Sequence, residues 1–442
     1  MRQKRKGVSP VLWILVGYVG TILLGTALLA LPFARTGPIP FVDLAFTATS
    51  AVSVTGLGVL DVSQAFTGFG QAVLLLLIEF GGLGFMTVAT VVLTALGRRI
   101  SLKYRLALTE SAGAENLHGM VRLVRTYAVF SLLVQLGGAL LLLPATLRLY
   151  PFGEALFKSV FHAVSSYCNA GVDLFAGALG SLAQNPLFAL VSCLLVVLGG
   201  LGVGILLEFA QKKKFRKLSL NAKIIFSATA FLVLFGTVFF LICESGNKQT
   251  LGNLPFGQKL LAALFQSVMP RTAGFAGVTQ SALTQSGQVM TFLLMIVGGA
   301  PASTAGGIKV TTLVILFAAT ATGLRGKEEV TLGRNGIAQK TVLKAVALAG
   351  VYVGILLVGL LIVSVTEAGR GHTLWQLLFE EVSALSNVGY TLDLTPLLTA
   401  GGKTLILFMM LLGRCGLLSF ALILPDASYV PVRYREAHVA IG

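Results

Sequence analysis

The chain has 442 residues, of which 55% are hydrophobic and only 11% are charged, and its mean hydropathy is +0.88. Since a soluble domain carries about 25% charged residues, this composition excludes an ordinary soluble protein and indicates an integral membrane protein. A net charge of +16 would suggest nucleic-acid binding in a soluble chain. Here the basic residues cluster in short loops, as topology signals do, so we expect a lipid membrane and no nucleic-acid partner.

Eight apolar stretches predict eight transmembrane helices, because one crossing needs about 20 apolar residues. In chain order they lie at roughly 10–31, 68–96, 122–145, 186–209, 222–243, 288–324, 341–364 and 402–424. Within each successive pair lies a shorter segment that starts near a phenylalanine and ends at a glycine. The four segments are FTATSAVSVTG (46–56), FHAVSSYCNAG (161–171), FQSVMPRTAG (265–274) and FEEVSALSNVG (379–389). Their final glycines are 115, 103 and 115 residues apart, so the chain is a fourfold repeat.

The repeat divides the chain into four units, 1–100, 101–220, 221–330 and 331–442; the third has a broken second helix and the fourth a cytoplasmic tail. Of the 33 lysines and arginines, 23 fall on one side of this topology and seven on the other. The positive side is cytoplasmic, which places both termini inside and makes the repeats parallel. The expected fold is an all-α integral membrane protein. Four helix–pore-loop–helix repeats surround one central pore, with eight transmembrane helices and four re-entrant pore helices.

The glycine-ended segments are the candidate site. Non-helical backbone at membrane depth is tolerated only where it is buried or lines a water-filled cavity. Four such segments in parallel repeats predict a ring, and a ring of backbone carbonyls suits the dehydration of a monovalent cation. Glycine fits because it has no Cβ, and each preceding helix points its negative dipole end at the centre. We expect the acidic residues Asp43, Glu154, Glu380 and Glu381 near the outer helix ends. The predicted filter residues are Val54, Thr55, Gly56, Asn169, Ala170, Gly171, Thr272, Ala273, Gly274, Asn387, Val388 and Gly389.

The segment GGAPASTAGGIK (298–309) interrupts the apolar stretch 288–324, which is the second stretch of the third repeat. Its glycines and proline do not hold a stable helix. Two interpretations stay open, a mobile gating loop and a kink packed on neighbouring helices. The predicted gate residues are Ala302, Ser303, Thr304, Ala305, Gly306, Gly307 and Arg414. Arg414 lies in the last apolar stretch, where a charge costs about 2.5 kcal/mol or more. We expect it to form a positive barrier that contacts the loop; a buried arginine bonded to carbonyls is a compatible alternative.

Two further charged residues are expected to have structural roles. Arg271 follows Pro270 beside the third filter segment, and we expect it to brace that segment from behind rather than to contact ions. Glu79 precedes GGLGF, and we expect it to make a packing contact or a local hydrogen bond rather than to coordinate an ion.

Several motifs resemble the Trk/Ktr/HKT superfamily of potassium transporters, and within it the membrane subunits of bacterial Ktr systems. They are VTGLG with the following FGQ and GGLGFMT, then NAG, PRTAGF, ASTAGGIK and GR.G, and they span nearly the whole chain. The resemblance implies channel-like potassium uptake across the bacterial inner (plasma) membrane, with the four filter glycines selecting potassium and an intramembrane gating loop. One departure is Asn387 in SNVGY, where the resemblance leads us to expect Thr-Val-Gly.

The resemblance also implies partners. These are a second copy of the chain in a homodimer and an octameric, KtrA-like cytosolic regulatory subunit that binds ATP or ADP. The tail VRYREAHVAIG resembles the family's end, which contributes to the dimer contact, and the basic segments 212–217 and 325–344 would dock the regulator. Potassium is the expected transported ion, and sodium as an activator stays open. We expect no organic cofactor on this chain.

Other classes of function fit the sequence less well. A secondary transporter of another solute usually has inverted repeats or paired broken helices, whereas the repeats here are parallel and we expect a single broken span. A sodium-permeable or sodium-coupled cation transporter stays the nearer alternative. An intramembrane enzyme is not expected, since the spans contain no paired His/Asp/Glu or Ser–His–Asp constellation.

Overall fold

The protein is described by a computed structural model, which covers residues 10–84, 120–327, 329–333 and 335–416, together with positions 87, 88, 90 and 94. The predicted basic N-terminal segment, the basic loop near 98–105 and the tail VRYREAHVAIG lie outside the described residues.

The described residues form helices in four successive sets. The first set is α1 (Pro10–Ala30), α2 (Phe41–Ser53), the short α3 (Val62–Ala65) and α4 (Gly68–Leu83). The second is α5 (Met120–Thr146), α6 (Phe152–Cys168), the short α7 (Leu179–Leu182), α8 (Pro186–Leu201) and α9 (Val203–Lys212). The third is α10 (Leu220–Glu244), α11 (Phe256–Val268), α12 (Gln285–Ile296) and α13 (Val310–Leu324). The fourth is α14 (Gln339–Thr366), α15 (Leu374–Leu385) and α16 (Ala400–Cys415).

Short elements occupy the connections. Single 3₁₀ turns lie at Phe215–Lys217, Gln280–Ala282 and Thr395–Leu397. An antiparallel hairpin, β1 (Thr331–Leu332) and β2 (Asn335–Gly336), pairs Thr331 with Gly336 between α13 and α14. Below, the first helices are α1, α5, α10 and α14, the middle helices are α2, α6, α11 and α15, and the second helices are α4, α8, α12 and α16.

Local sequence explains where the second helices begin. Each follows a residue whose side-chain oxygen accepts a hydrogen bond from the backbone of the first turn, which satisfies an otherwise unpaired N–H group. These N-caps are Thr67, Asn185, Thr284 and Thr399. Three middle helices follow a proline instead, and α15 begins with a capping box between Thr373 and Gln376.

The middle helices form the centre of the protein. The phenylalanine that opens each repeated segment in the sequence (Phe46, Phe161, Phe265 and Phe379) is at most 1% exposed. The outer faces of the first helices are apolar and exposed, with Leu234, Ile242, Leu361 and Val365 each more than 60% exposed. Apolar side chains on the outside of a helical assembly indicate a lipid environment, so the chain is a multi-pass membrane protein.

By length and composition, three helices in the described part of the chain are able to cross a membrane: Val121–Thr146, Leu220–Glu244 and Gln339–Thr366. A fourth is counted when α8 and α9 are taken as one span bent by 94°. The part Ile14–Ala30 of α1 is also apolar, and α4 and α13 are apolar but shorter than a full crossing. The eight crossings therefore stay a prediction.

The expectation that a single second span is broken was wrong. Helix α4 ends before Gly84, α8 turns by 94° into α9 at Gly202, and α16 ends before Gly416. The three glycines share a positive φ of 84°, 79° and 83° with ψ between 128° and 140°. This conformation is accessible to glycine and ends an α-helix, so α4, α8 and α16 end inside the predicted spans 68–96, 186–209 and 402–424. The predicted break at 298–309 is present, since α12 ends at Ile296 and α13 begins at Val310.

Candidate functional site

Each middle helix leads into a turn that ends at one of the repeat glycines. We name these turns loop 1 (54–56), loop 2 (169–171), loop 3 (272–274) and loop 4 (387–389). In every loop the first residue has a positive φ and so does the final glycine. The first residues are Val54 (53°), Asn169 (60°), Thr272 (74°) and Asn387 (53°). Because a left-handed conformation is costly for a β-branched residue, the surrounding packing must hold Val54 and Thr272 in place.

The four loops close a ring. A Cβ built on Gly56 would lie 2.6 Å from the carbonyl oxygen of Ala170 in loop 2. A Cβ on Gly171 would lie 2.7 Å from the carbonyl oxygen of Ala273 in loop 3. A Cβ on Gly274 of loop 3 would overlap the carbonyl oxygen of Val388 in loop 4, and a Cβ on Gly389 of loop 4 would overlap the carbonyl oxygen of Thr55 in loop 1. Each glycine therefore packs against the backbone of the next loop, and no side chain fits between neighbouring loops.

Hydroxyl groups on the middle helices support three of the loops. The N–H groups of Gly56 and Gly389 each donate to a serine hydroxyl, Ser50 and Ser383, at 3.1 Å. In the second set, the Ser165 hydroxyl donates to the carbonyl oxygen of Val172 at 2.6 Å. These serines were missed by the sequence analysis. The sequence does contain a pattern that could have identified them, because serine recurs six positions before the glycine in three of the four segments.

A cavity of about 220 Å³ opens beside loops 1 and 2. Its lining includes Thr47, Ser50, Gly56, Gly171 and the two carboxylate residues Asp61 and Asp173. Two carboxylates beside loops 1 and 2 give this cavity a negative potential, which attracts cations. Across the described residues, we find no group of three or more His, Cys, Asp or Glu side chains that could hold a metal ion.

The predicted gate segment is a loop that closes on itself at its base. Val297 and Ile308 form a parallel bridge, and Gly298 donates to the carbonyl oxygen of Ile308 at 2.9 Å. Its tip is attached to the second set, since the Thr304 hydroxyl donates to the carbonyl oxygen of Tyr167 at 3.2 Å. The Ser303 hydroxyl donates to the carbonyl oxygen of Ala300 at 2.7 Å, and Ala302 takes a positive φ of 57°.

Arg414 joins three parts of the protein, and its predicted contact with the loop is confirmed. Its guanidinium donates to the carbonyl oxygen of Thr304 in the loop and to the carbonyl oxygens of Gly81 and Gly82 at the end of α4. A second cation lies close by, because the Lys309 ammonium donates to the carbonyl oxygen of Ala305 at 2.6 Å. Lys309 was missed as a contributor to this region.

The acidic residues behave in two different ways. Asp43 and Glu154 lie in the first turns of α2 and α6, as expected, and pair with Lys403 at 2.7 Å and Lys158 at 2.9 Å. The expectation for Glu380 and Glu381 was wrong. The capping box starts α15 at Leu374, so both glutamates fall in the middle of the helix and are at most 1% exposed.

Of these two buried carboxylates, only Glu380 has hydrogen-bond partners among the described residues, since both oxygens of Glu381 lack one. Glu380 accepts a hydrogen bond from the Thr391 hydroxyl at 2.6 Å and another from the Thr395 hydroxyl. Glu79 accepts a hydrogen bond from Gln135 at 2.9 Å, which confirms the local bond expected for it. The buried Arg271 reaches the Thr229 hydroxyl of α10 at 3.5 Å, and its bracing of loop 3 stays a prediction.

Two buried glutamates tie first helices to second helices. Glu244, at the end of α10, accepts hydrogen bonds from the N–H and hydroxyl groups of Thr284 at 2.9 and 2.6 Å. Glu367 does the same for Thr399 of the fourth set at 3.0 and 2.6 Å. Each carboxylate therefore secures the N-cap residue of a second helix. Sequence reasoning missed both residues.

Comparison with known proteins finds similarity to one family of cation transport proteins. A family model described as TrkH, cation transport protein, matches residues 12–429. The Ktr system potassium uptake protein B of Bacillus subtilis is 36% identical over 427 residues, which cover 97% of this chain and 95% of that protein. The Ktr system potassium uptake protein B of Vibrio alginolyticus is 35% identical and covers 100% of this chain and 96% of that protein.

A third relative and a solved structure are also similar to this chain. The potassium/sodium uptake protein NtpJ of Enterococcus hirae is 35% identical and covers 100% of this chain and 99% of that protein. Among solved structures, the potassium transporter TrkH from Vibrio parahaemolyticus has a TM-score of 0.76 at 18% identity, covering 96% of this chain and 87% of that chain. The structural likeness shows a shared helical fold.

Proposed function

Because the chain belongs to the TrkH family of cation transport proteins, we propose that it is the ion-translocating subunit of a bacterial potassium uptake system. The observation that supports this proposal best is the closed ring of loops 1 to 4. Uptake through such a ring is driven by the membrane potential, which at 100 mV contributes about 2.3 kcal/mol per elementary charge. The protein works as a channel-like transporter in the inner membrane and carries both termini in the cytoplasm.

The ring acts as a selectivity filter. Carbonyl oxygens of the twelve residues in loops 1 to 4 replace the hydration shell of a potassium ion. Four middle helices end near the ring, so their negative dipole ends favour a cation there. In this arrangement the four helix sets are the repeats 1–100, 101–220, 221–330 and 331–442, with eight crossings and four re-entrant pore helices around one pore.

The loop 302–307 and Arg414 form the gate. Arg414 holds the tip of the loop against α4, and its charge repels a cation that leaves the ring. Lys309 adds a second positive charge at the base of the loop. Ions pass only when this loop moves aside, so conduction depends on the equilibrium between two loop positions.

Gate opening is controlled by partners. The Ktr names of the relatives, together with the motif resemblance, support a homodimer of this chain and an octameric, KtrA-like cytosolic subunit that binds ATP or ADP. The exposed basic segment 212–217 and the hairpin region 325–344 supply docking sites on the cytoplasmic side.

Rubidium tracer uptake into proteoliposomes tests the function. The purified chain is reconstituted alone with potassium inside, and external potassium or sodium serves as competitor, with protein-free liposomes as the control. We expect uptake that potassium blocks and sodium hardly affects. No uptake by the intact chain and none after deletion of residues 302–306 would contradict the proposal, since the deletion removes the gate.

A sodium-permeable or sodium-coupled transporter is the second candidate. The observation in its favour is the similarity to a relative whose name includes both potassium and sodium. The same assay separates the two candidates. Equal block by sodium and potassium indicates a nonselective pore, and uptake that starts only when sodium is added indicates coupling or activation by sodium.

A further inference from the structure

Asn387 is bonded to a neighbouring loop. Its amide nitrogen donates to the Thr55 hydroxyl of loop 1 at 2.9 Å and to the carbonyl oxygen of Met410 in α16 at 2.8 Å. The residue is 1% exposed, and Thr55 is fully buried. The side chain therefore links loop 4 to loop 1 and to its own second helix at the same time.

Asn169 occupies the equivalent place in loop 2. In the amide orientation that satisfies its neighbours, the nitrogen donates to the carbonyl oxygens of Ser166 at 3.0 Å and Val196 at 3.2 Å. The amide oxygen accepts a hydrogen bond from the Thr272 hydroxyl of loop 3 at 3.2 Å. Asn169 therefore links loop 2 to loop 3 and to α8.

The two links share their second-helix contact but differ at the neighbouring loop. Asn387 donates to the hydroxyl of the second residue of loop 1, whereas Asn169 accepts a hydrogen bond from the hydroxyl of the first residue of loop 3. Val196 lies three residues before Gly199 in α8, and Met410 lies three residues before Gly413 in α16, so the second-helix contacts match. The links occupy alternate joints of the ring, between loops 4 and 1 and between loops 2 and 3. At the other two joints, Gly56 and Gly274 pack on the backbone of the next loop.

The left-handed turn does not by itself explain these asparagines. Asparagine tolerates a positive φ better than most residues do. However, Val54 and Thr272 hold the same position with a positive φ in loops 1 and 3. The turn therefore accepts other residues, and the distinguishing property of the two asparagines is the cross-loop hydrogen bond.

We infer that Asn169 and Asn387 are specificity-determining residues of the filter, because their amides hold adjacent loops at the spacing that suits potassium. This inference rests on the proposed function. Sodium is smaller than potassium, so a ring that is free to contract loses its discrimination between the two ions. A neutral amide fixes the loops without adding a charge that would bind any cation indiscriminately.

Packing around Asn387 leaves its amide little freedom. A Cβ built on Gly306 of the gate loop would lie 2.8 Å from the Asn387 amide oxygen, and one built on Gly413 of α16 would lie 2.6 Å from it. The amide is thus enclosed by the gate loop on one side and by α16 on the other. A bulkier residue at either glycine would displace the amide and, with it, loop 1.

The test compares sodium and potassium as competitors of rubidium uptake in proteoliposomes of the full chain. The measured quantity is the ratio of the sodium and potassium concentrations that halve uptake. Asn387→Gly keeps the left-handed turn and removes the link, and Thr55→Val removes the acceptor with little change of shape. Asn387→Gly also removes the bond to Met410, and Thr55→Val also removes a bond between the Thr55 and Ser53 hydroxyls, so the bond that both variants lose is the one between loops 4 and 1. We expect the loss of this shared bond to lower the ratio about three- to tenfold in each variant.

Further variants test whether the change in the ratio comes from the hydrogen bonds between loops. The double variant should lower the ratio no more than either single variant, because both remove the same bond. Thr55→Ser should keep the ratio, and Asn169→Gly should repeat the effect at the opposite joint. Asn253→Gly, at an exposed amide that donates to the carbonyl oxygen of Lys248, is the matched control and should change nothing.

A second readout does not need an open gate. The melting temperature of the detergent-solubilised protein is measured in potassium and in sodium, since an ion that binds the folded state stabilises it. The difference between the two ions should narrow in Asn387→Gly and Thr55→Val. If the wild-type chain prefers potassium and the variants keep the wild-type ratio, even with lower uptake, the inference about the two asparagines is wrong and the proposed filter stands. A wild-type chain with no preference overturns the proposed filter itself.

Discussion

Replacing Gly171 by alanine is the sharpest test of the ring. Gly171 has a φ of +68°, and a Cβ at this position would lie 2.7 Å from the carbonyl oxygen of Ala273 in loop 3. Ordinary contact begins at 3.4 Å, so the two loops must separate by about 0.7 Å. The displaced atom is one of the carbonyl oxygens that we propose to coordinate the ion.

Two costs add in this variant. A left-handed alanine costs about 1–2 kcal/mol, and a forced contact in a packed region costs about 1–3 kcal/mol more. Only the second cost acts on the ring. We therefore expect the preference for potassium over sodium in rubidium uptake to fall about five- to hundredfold.

Gly369→Ala is the matched control, because it separates the two costs. Gly369 has a φ of +77°, and a Cβ there would have no neighbour within 4 Å. It carries the conformational cost without the clash, so the potassium preference should stay within about twofold of the wild type. If the two alanine variants behave alike, or if Gly171→Ala keeps the wild-type preference, the glycines do not set the geometry of an ion filter.

Two other predictions concern the gate and the helix ends. Arg414→Ala removes the bonds to Thr304 and to the end of α4, so rubidium uptake without a cytosolic partner should rise several-fold. The control Arg216→Ala, at an exposed arginine, should leave uptake unchanged. Slower uptake by Arg414→Ala than by the wild type would contradict the proposed gate. Glu244→Gln places an amide N–H₂ group against hydrogen-bond donors, among them the N–H and hydroxyl groups of Thr284. We expect this change to lower the free energy of unfolding by about 3 kcal/mol. The melting temperature in detergent should therefore fall by a few degrees. An unchanged melting temperature would show that this carboxylate does not secure α12.

The sequence was sufficient for features that depend on short stretches of chain. The predicted first spans 10–31, 122–145, 222–243 and 341–364 agree closely with α1, α5, α10 and α14, because hydropathy over about 20 residues identifies a helix of spanning length. The glycine loops and the break at 298–309 were also predictable, since glycine and proline act on the backbone within a few residues.

Breaks at other positions needed the structure. Gly84, Gly202 and Gly416 lie in or next to apolar stretches, and glycine is common inside transmembrane helices, so the sequence did not distinguish a helical glycine from one that ends the helix. The start of α15 at Leu374 likewise moved Glu380 and Glu381 from the expected helix end into its buried middle.

By itself, the sequence determined that this is a helical membrane protein, that its glycine-ended segment recurs four times, and which family it resembles. These properties follow from composition, local backbone preference and spacing along the chain. Only the tertiary structure decided which groups meet. Asn387 bonds to Thr55 at a separation of 332 residues, and Arg414 bonds to Gly81 at a separation of 333. Contacts over such separations arise when four helix sets pack against each other, and no local preference encodes them.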